Sequence, residues 1–385
     1  KGLLFAGTEF GLYVSFDDGR RWQPLQLNLP VTPVTDLAVH EKDLVVATQG
    51  RSFWILDDLS LLHQLDPTIT SEPVHLFRPR DTVRFGGGFS FGRQGAGGQN
   101  PPTGVIIHYS LAEQPAEDQE LILEILDEKD DLVRSLSSTK EERRAPNPFA
   151  RFLPPGALGP KKLPAEKGSN RYVWDFRLPD ATLLEDTVLW GTARGPRVPP
   201  GEYKVRLKRG DTVQTRVFAV RKDPRVSATR QELVAQFELA KKTWRAISES
   251  HHALKRIRDL RQQVDDIERR LNERKEGADL LVAAEAVRSK LSGIETALHQ
   301  VKTESSQDAL NFPPALDNQL VALMGTVESA DARPTDGSLE RYRELRDDLD
   351  AHLAALQGLI EHELAAFNDI VRGKNISGVI VPPAE

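Results

Sequence analysis

The 385 residues contain no cysteine. Disulfides, cysteine-ligated zinc and thiol nucleophiles are excluded together, while the compartment stays open, because exported proteins also occur without cysteine. Aromatic residues make up only 6%, and no run of about 18 apolar residues occurs, so no membrane span is expected. Positive charge is not in excess either. Lys and Arg number 51 against 57 Asp and Glu, a formal net charge of -6, which removes the broad basic field that attracts phosphate backbones and argues against nucleic acid as a partner. The chain does not open with a basic stretch followed by an apolar one. Lys1 leads straight into the strand-like Leu3-Leu4-Phe5-Ala6, as expected of the C-terminal part of a larger protein.

What is present divides by pattern. Leu3 to Ser15 (LLFAGTEFGLYVS) is echoed by Leu44 to Leu56 (LVVATQGRSFWIL), with 41 positions from Leu12 to Phe53. That offset is close to the period of roughly 40 to 50 residues of propeller blades. After the first hairpin comes Ser15-Phe16-Asp17-Asp18-Gly19-Arg20-Arg21-Trp22, an S-x-D-x-G-x-x-W pattern. Each key residue type serves the turn locally, since the Asp carboxylate accepts turn N–H groups, the Gly permits positive φ, and the Trp covers the hairpin. In the second repeat Asp58 falls near the Asp17 position, but the Gly and Trp are missing. Residues 1–80 are therefore expected to be the last blades of a β-propeller, with Ser15, Asp17, Gly19 and Trp22 structural rather than ligand-binding.

Residues 81–102 read as a Gly- and Pro-rich linker; a phosphate-cradling loop would need a Lys and a following helix, and here a strand follows. Residues 103–222 read as a β-sandwich of immunoglobulin or fibronectin type. Its expected strands are Val105 to Leu111, Leu121 to Asp127, Tyr172 to Leu178, Tyr203 to Lys208 and Val213 to Arg221, with a turn at Pro199-Pro200-Gly201. The Pro-, Lys- and Arg-rich 137–169 reads as a long exposed insertion.

From 223 to 385 the period becomes helical. Ser227 or Thr229 caps a stripe through Leu233, Phe237, Ala240, Trp244, Ile247, His251 and Leu254, which resumes one residue out of phase at Ile257 and runs to Leu271, predicting a kink between Leu254 and Arg258. Further stripes run from Leu280 to Val301, Leu316 to Val327 and Tyr342 to Phe367, separated by Gly277, Pro313-Pro314 and Pro334 to Gly337. Short connections between such helices predict an antiparallel bundle. The fold class is thus multidomain β plus α.

Chemistry is sparse. Asp57-Asp58 are paired acids, but neighbours on a strand point to opposite faces, so they read as turn residues. The nine histidines form no HExxH motif and no i, i+4 helical pair. His251 and His252 lie about 100° apart, which does not suit one metal, and His251 reads as a bundle residue on the apolar stripe. Of the arginines and tyrosine that sialidase chemistry would need, only Arg51 and Tyr13 lie in suitable segments. Arg143-Arg144, Lys161-Lys162 and Lys255 to Arg261 read as solvated faces, and Asn375-Ile376-Ser377 is a glycosylation sequon. No catalytic residues, metal ligands or cofactor are assigned.

With the Asp box, GRSFWILDD, GQNPP, PPGEYKVRL and DPR in view, the chain resembles bacterial sortilin-like proteins with neuraminidase (Asp-box) repeats. The resemblance implies an extracytoplasmic protein, periplasmic or secreted, whose propeller takes a peptide or protein ligand. This chain is then read as a non-catalytic binding or scaffold portion. The alternative is the accessory C-terminal region of a secreted, sialidase-like glycoside hydrolase. Phe237 and Trp244 are the expected anchors of an interaction surface, because the first helical stripe is about 65 Å long and outruns the second of about 40 Å. The excess needs a kink, the sandwich or a partner to cover it. The ligand and oligomeric state are left open.

Overall fold

The structure, a computed structural model, describes residues 2–85, 100–145, 159–185, 187–274, 278–305, 307–374 and 377–381. The chain is β plus α and forms two compact units. One comprises Lys1–Glu142, Leu158–Phe176 and Pro200–Asp223; the other comprises Arg143–Ala157, Arg177–Pro199 and Pro224–Glu385. Residues 1–80 and the strands of 103–222 therefore group together, and residues 177–199 leave the β region to join the helices. No helix among the described residues is long and apolar enough to cross a membrane.

In the first unit, strands β1 (Leu4–Thr8), β2 (Gly11–Ser15) and β3 (Gln23–Pro24) form an antiparallel meander. Strands β4 (Val34–His40), β5 (Asp43–Thr48) and β6 (Phe53–Leu56) form a second one. The repeated hairpins of the sequence are β1–β2 and β5–β6, and Leu12, Leu29, Leu44, Val46 and Leu59 make a small shared core. The outer face of β6 leaves Phe53 and Ile55 in solvent.

Strands β7 (Val74–Leu76), β8 (Thr82–Arg84), β9 (Val105–Leu111), β10 (Leu121–Leu126), β11 (Leu132–Ser137), β12 (Gly168–Trp174), β13 (Gly201–Arg209) and β14 (Thr212–Lys222) complete the unit. They make a five-stranded sheet in the order β11-β10-β13-β14-β8 and a three-stranded sheet in the order β12-β9-β7. Alternation decides the buried face: Val105, Ile107, Tyr109 and Leu111 of β9 point inward, as do Leu121, Leu123 and Ile125 of β10. Trp174 of one sheet meets Tyr203 and Phe218 of the other at ring-centroid distances of 5.5 and 6.1 Å.

Three expectations change here. Strand β8 lies inside the stretch read as linker and pairs in parallel with β14. The run Tyr172 to Leu178 does not stay extended, because buried Phe176 takes a φ of 62° and ends the strand. The described ends of 137–169 are held to the sheets rather than exposed throughout. Leu163 is buried and its N–H donates to Ser137 O, Tyr109 Oη donates to Pro164 O, and the Glu142 N–H donates to Lys161 O. Arg134, itself buried, donates two hydrogen bonds of 2.7 Å to Glu142 and one of 2.9 Å to Asp175.

In the second unit, helix α1 (Arg230–Arg274) runs 45 residues without interruption. A capping box starts it: the Glu232 N–H donates to Thr229 Oγ1 at 3.2 Å, and the Thr229 N–H donates to Glu232 Oε2 at 2.7 Å. Helices α2 (Ala278–Leu298) and α3 (Leu316–Val327) follow, then α4 (Asp336–Leu359), a π-helical turn at Ile360–Leu364, and α5 (Ala365–Gly373). Thr335 caps α4 by accepting the Ser338 N–H.

Side-chain pairs give the directions. Arg258 and Arg261 of α1 meet Glu295 of α2, and Arg288 of α2 meets Asp265 and Glu268, so α2 runs antiparallel to the second half of α1. Gln236 donates to the Val327 and Ala330 carbonyls, and His251 faces Asp317, so α3 runs antiparallel to the first half. Two short helices thus cover one long one in succession. The expected kink is absent as a break in the helix, and the phase slip at Leu254 to Ile257 coincides with the change of partner from α3 to α2; both side chains are fully buried.

Candidate functional site

Among the described residues a cleft of about 820 Å³ lies in the first unit. Its wall is built from ends of elements: Glu41, Lys42 and Asp43 from the β4–β5 turn, Asp57 and Asp58 just past β6, Arg80 to Val83 leading into β8, Asn100 to Gly104 before β9, and Ile106 and Arg221 from strands. Gly104 has a φ of 148°, and a Cβ there would sit 2.4 Å from the Trp174 carbonyl oxygen, so only glycine brings this turn against β12. Phe85, Pro101 and Pro102 add apolar surface.

Five carboxylates face three cations in the lining. Arg80 bridges Asp43 at 2.5 Å and approaches Glu41 at 3.8 Å. Asp43 Oδ1 also accepts the Asp58 N–H at 2.9 Å. Partial burial works against the Asp43 carboxylate, but the Arg80 guanidinium and the Asp58 N–H outweigh it and hold its pKa below the ordinary value. Asp81 is held down in the same way against partial burial, by the Ala219 N–H at 3.1 Å and Arg221 at 2.7 Å. Asp58, at a φ of 61°, spends its carboxylate on the Ser60 N–H and hydroxyl.

Asp57 differs from these. Its side chain is exposed at the cleft, and partial desolvation, followed by the negative charges of Asp43 and Asp58, pushes its pKa up. A carboxylate so placed gains from an incoming cation. The turn reading of Asp57-Asp58 holds for Asp58, and both residues line the cleft.

The Asp box lies elsewhere, at the end of β2. Asp17 Oδ1 accepts the Arg21 N–H at 2.8 Å and the Ser15 hydroxyl at 3.0 Å, while Ser15 Oγ accepts the Gly19 N–H at 2.9 Å. The Arg21 N–H bond is the main cause of a lowered Asp17 pKa. Gly19 has a φ of 84°, with Trp22 and Leu4 within van der Waals reach of its Cβ position. All carboxylate bonds of the box that we see close its own turn. Arg51 and Tyr13 are not brought to the cleft; the Arg51 carbonyl accepts Trp54 Nε1–H at 2.8 Å.

The second unit holds a buried polar cluster. His299 Nδ1 lies 2.6 Å from Asp317 Oδ2, and His251 Nε2 lies 3.7 Å from the same oxygen. His251 Nδ1 accepts the Leu184 N–H at 3.1 Å, which puts its ring proton on Nε2. Burial, above all, lowers the His251 pKa to about 4. Beside His299 and Asp317 is a pocket of about 20 Å³, lined also by Leu189, Trp190, Phe312 and Pro313. Among the described residues no group of three or more His, Asp or Glu side chains is arranged to hold a metal ion. Phe237 is half-buried with the Lys241 ammonium 5.6 Å from its ring centre, and half-buried Trp244 leans on the helical core.

Sequence reasoning did not single out Glu41, Asp43, Arg80, Asp81, His299 or Asp317. They carry no mutual spacing, and the one available signal was an acid, Asp317, next to the apolar stripe of α3. A G-x-S-x-G elbow is read as absent from the sequence, yet Gly88-Phe89-Ser90-Phe91-Gly92 has that spacing. Those residues, like most of the Gly-rich stretch and Asn375-Ile376 of the sequon, lie outside the described residues. No protein-family model matches the chain, and no curated protein and no solved structure matches it.

Proposed function

We propose that this chain is a non-catalytic, peptide- or protein-binding portion of an exported protein of the sortilin-like, Asp-box kind. In this reading residues 1–80 are terminal propeller blades, 103–222 an immunoglobulin-like sandwich and 223–385 an antiparallel bundle. The support is the self-contained turn of the Asp box, two successive three-stranded meanders and the facing of two sheets across Trp174. Location outside the cytoplasm rests on the resemblance alone.

The observation that carries binding is the cleft. Its volume of about 820 Å³ is that of a ligand site, and it joins an apolar edge (Phe85, Pro101, Pro102) to a surplus of carboxylates in which Asp57 is exposed with its pKa raised. Such a lining suits a peptide carrying lysine or arginine. Isothermal titration of the whole chain with short basic peptides should show binding that weakens with salt, and Asp57→Asn should reduce affinity about 3- to 10-fold, the scale of one partly screened charge pair. Equal binding of acidic and basic peptides, or no effect of Asp57→Asn, would overturn the assignment of the ligand to this cleft.

A further inference from the structure

The loop between Arg177 and Arg197 is fastened to the helices in two different ways. At its base, Arg177 and the Arg197 N–H engage Glu328 at 2.6 and 2.7 Å, and Arg197 binds Asp331 at 2.9 Å. The Leu178 N–H also donates to Pro196 O, and the Ala181 N–H to Ala193 O. Toward its tip the Thr182 N–H donates to Ser248 Oγ at 3.1 Å and the Leu184 N–H to His251 Nδ1 at 3.1 Å, while Asn318 holds Trp190 from both sides, Oδ1 accepting its N–H at 2.7 Å and Nδ2 donating to its carbonyl at 3.3 Å, and Leu183, Leu184 and Leu189 pack on the helical core. The base combines ion pairs with backbone bonds. One tip bond depends on a ring nitrogen that can take up a proton.

Protonation reverses what that nitrogen offers. Neutral His251 accepts at Nδ1; the imidazolium donates at both nitrogens, so Nδ1–H would face the Leu184 N–H, donor against donor. The charged ring is drawn instead toward Asp317 Oδ2, 3.7 Å from Nε2, which has no hydrogen-bond partner of its own now. Asp317, from α3, favours the cation, while His299 from α2 and His252 and Arg258 from α1 oppose it. Arg258 is partly neutralised by Glu295, Glu249 on α1 is paired with Arg346 of α4, and Asp180 of the loop accepts the Ala145 and Gly195 N–H groups.

We propose that His251 is an acid-sensitive latch: neutral, it holds the loop carrying Leu184 and Trp190 onto α1, and protonated at Nδ1 it lets the tip lift while the base stays fastened. Lifting would uncover the small pocket at His299 and Asp317, of which Leu189 and Trp190 form one side. The latch is a device of the second unit and is independent of the peptide cleft.

Hydrogen exchange of the whole chain, corrected for the intrinsic pH dependence of exchange, tests this between pH 7 and 4.5. Expected is a loss of protection of about 10-fold or more at Leu184, with a smaller loss at Thr182 and Trp190, whose own bonds to Ser248 and Asn318 do not titrate, as the pH falls, with α1 and α3 still protected. His251→Gln, which keeps an acceptor that does not titrate, should abolish the pH dependence. Asp317→Asn, which removes the charge favouring the cation, should move the loss to lower pH. Unchanged tip protection in the wild type, simultaneous loss in tip and helices, or wild-type pH dependence in His251→Gln would each overturn the proposal. Should His251→Gln fail to fold, the wild-type profile and the direction of the Asp317→Asn shift decide the matter.

Discussion

Ser15 joins the Asp box internally, donating to Asp17 and accepting from Gly19 while its own side chain is buried. Replacing it with alanine strands the Gly19 N–H and removes one partner of the carboxylate. Ser15→Ala should lower stability by about 1 to 2 kcal/mol, read from urea unfolding, without altering peptide affinity. A loss of affinity at unchanged stability would give the box a ligand role instead. His251 acts on stability through pH. Its folded pKa of about 4 lies below the ordinary value near 6.5, so the unfolded state takes up the proton first. The contribution of the buried neutral ring is therefore complete above pH 6.5 and is lost as the pH falls toward 4. By linkage the loss approaches about 3 kcal/mol, and His251→Gln should flatten that part of the stability profile.

Among elements, α1 shows how a long apolar stripe finds cover. At about 1.5 Å per residue it spans about 65 Å, more than α2 can cover, and α3 takes the remainder within the same unit. Gln236 secures that arrangement by donating to the Val327 and Ala330 carbonyls where α3 ends. Gln236→Ala leaves the buried Val327 carbonyl short of a partner and should cost about 1 to 3 kcal/mol, measured by chemical unfolding. The half-buried state of Phe237 and Trp244 fits this internal cover. The strongly exposed large apolar side chains described in this unit are others: Trp190, Val282, Val301, Leu310 and Ile380.

At the scale of the whole molecule, the two compact units cut across the order of segments, with 177–199 joining the helices. The two meanders of residues 1–80 share a cluster with five buried apolar side chains among the described residues, buried Val74 and Leu76 lie on β7, which pairs with β9 outside the fragment, and Arg80, Gln64 and Asp43 tie edges together. A fragment of those residues should give no cooperative melt by circular dichroism, because so small a core cannot offset the loss of chain entropy. Periodicity by itself determined the element types: β9, β10, β13, β14 and α3 stand where alternation or helical spacing put them, since side-chain direction follows backbone period. The Asp box turn was equally legible, its side-chain bonds spanning at most four residues. Strand β8 was hidden because three residues show no period, and its pairing with β14 is a contact across about 140 positions. The cleft and the His251–Asp317–His299 cluster were decided only by tertiary structure, because they assemble from elements far apart in the chain. Such residues are chosen for where the backbone delivers them, and no local spacing records that.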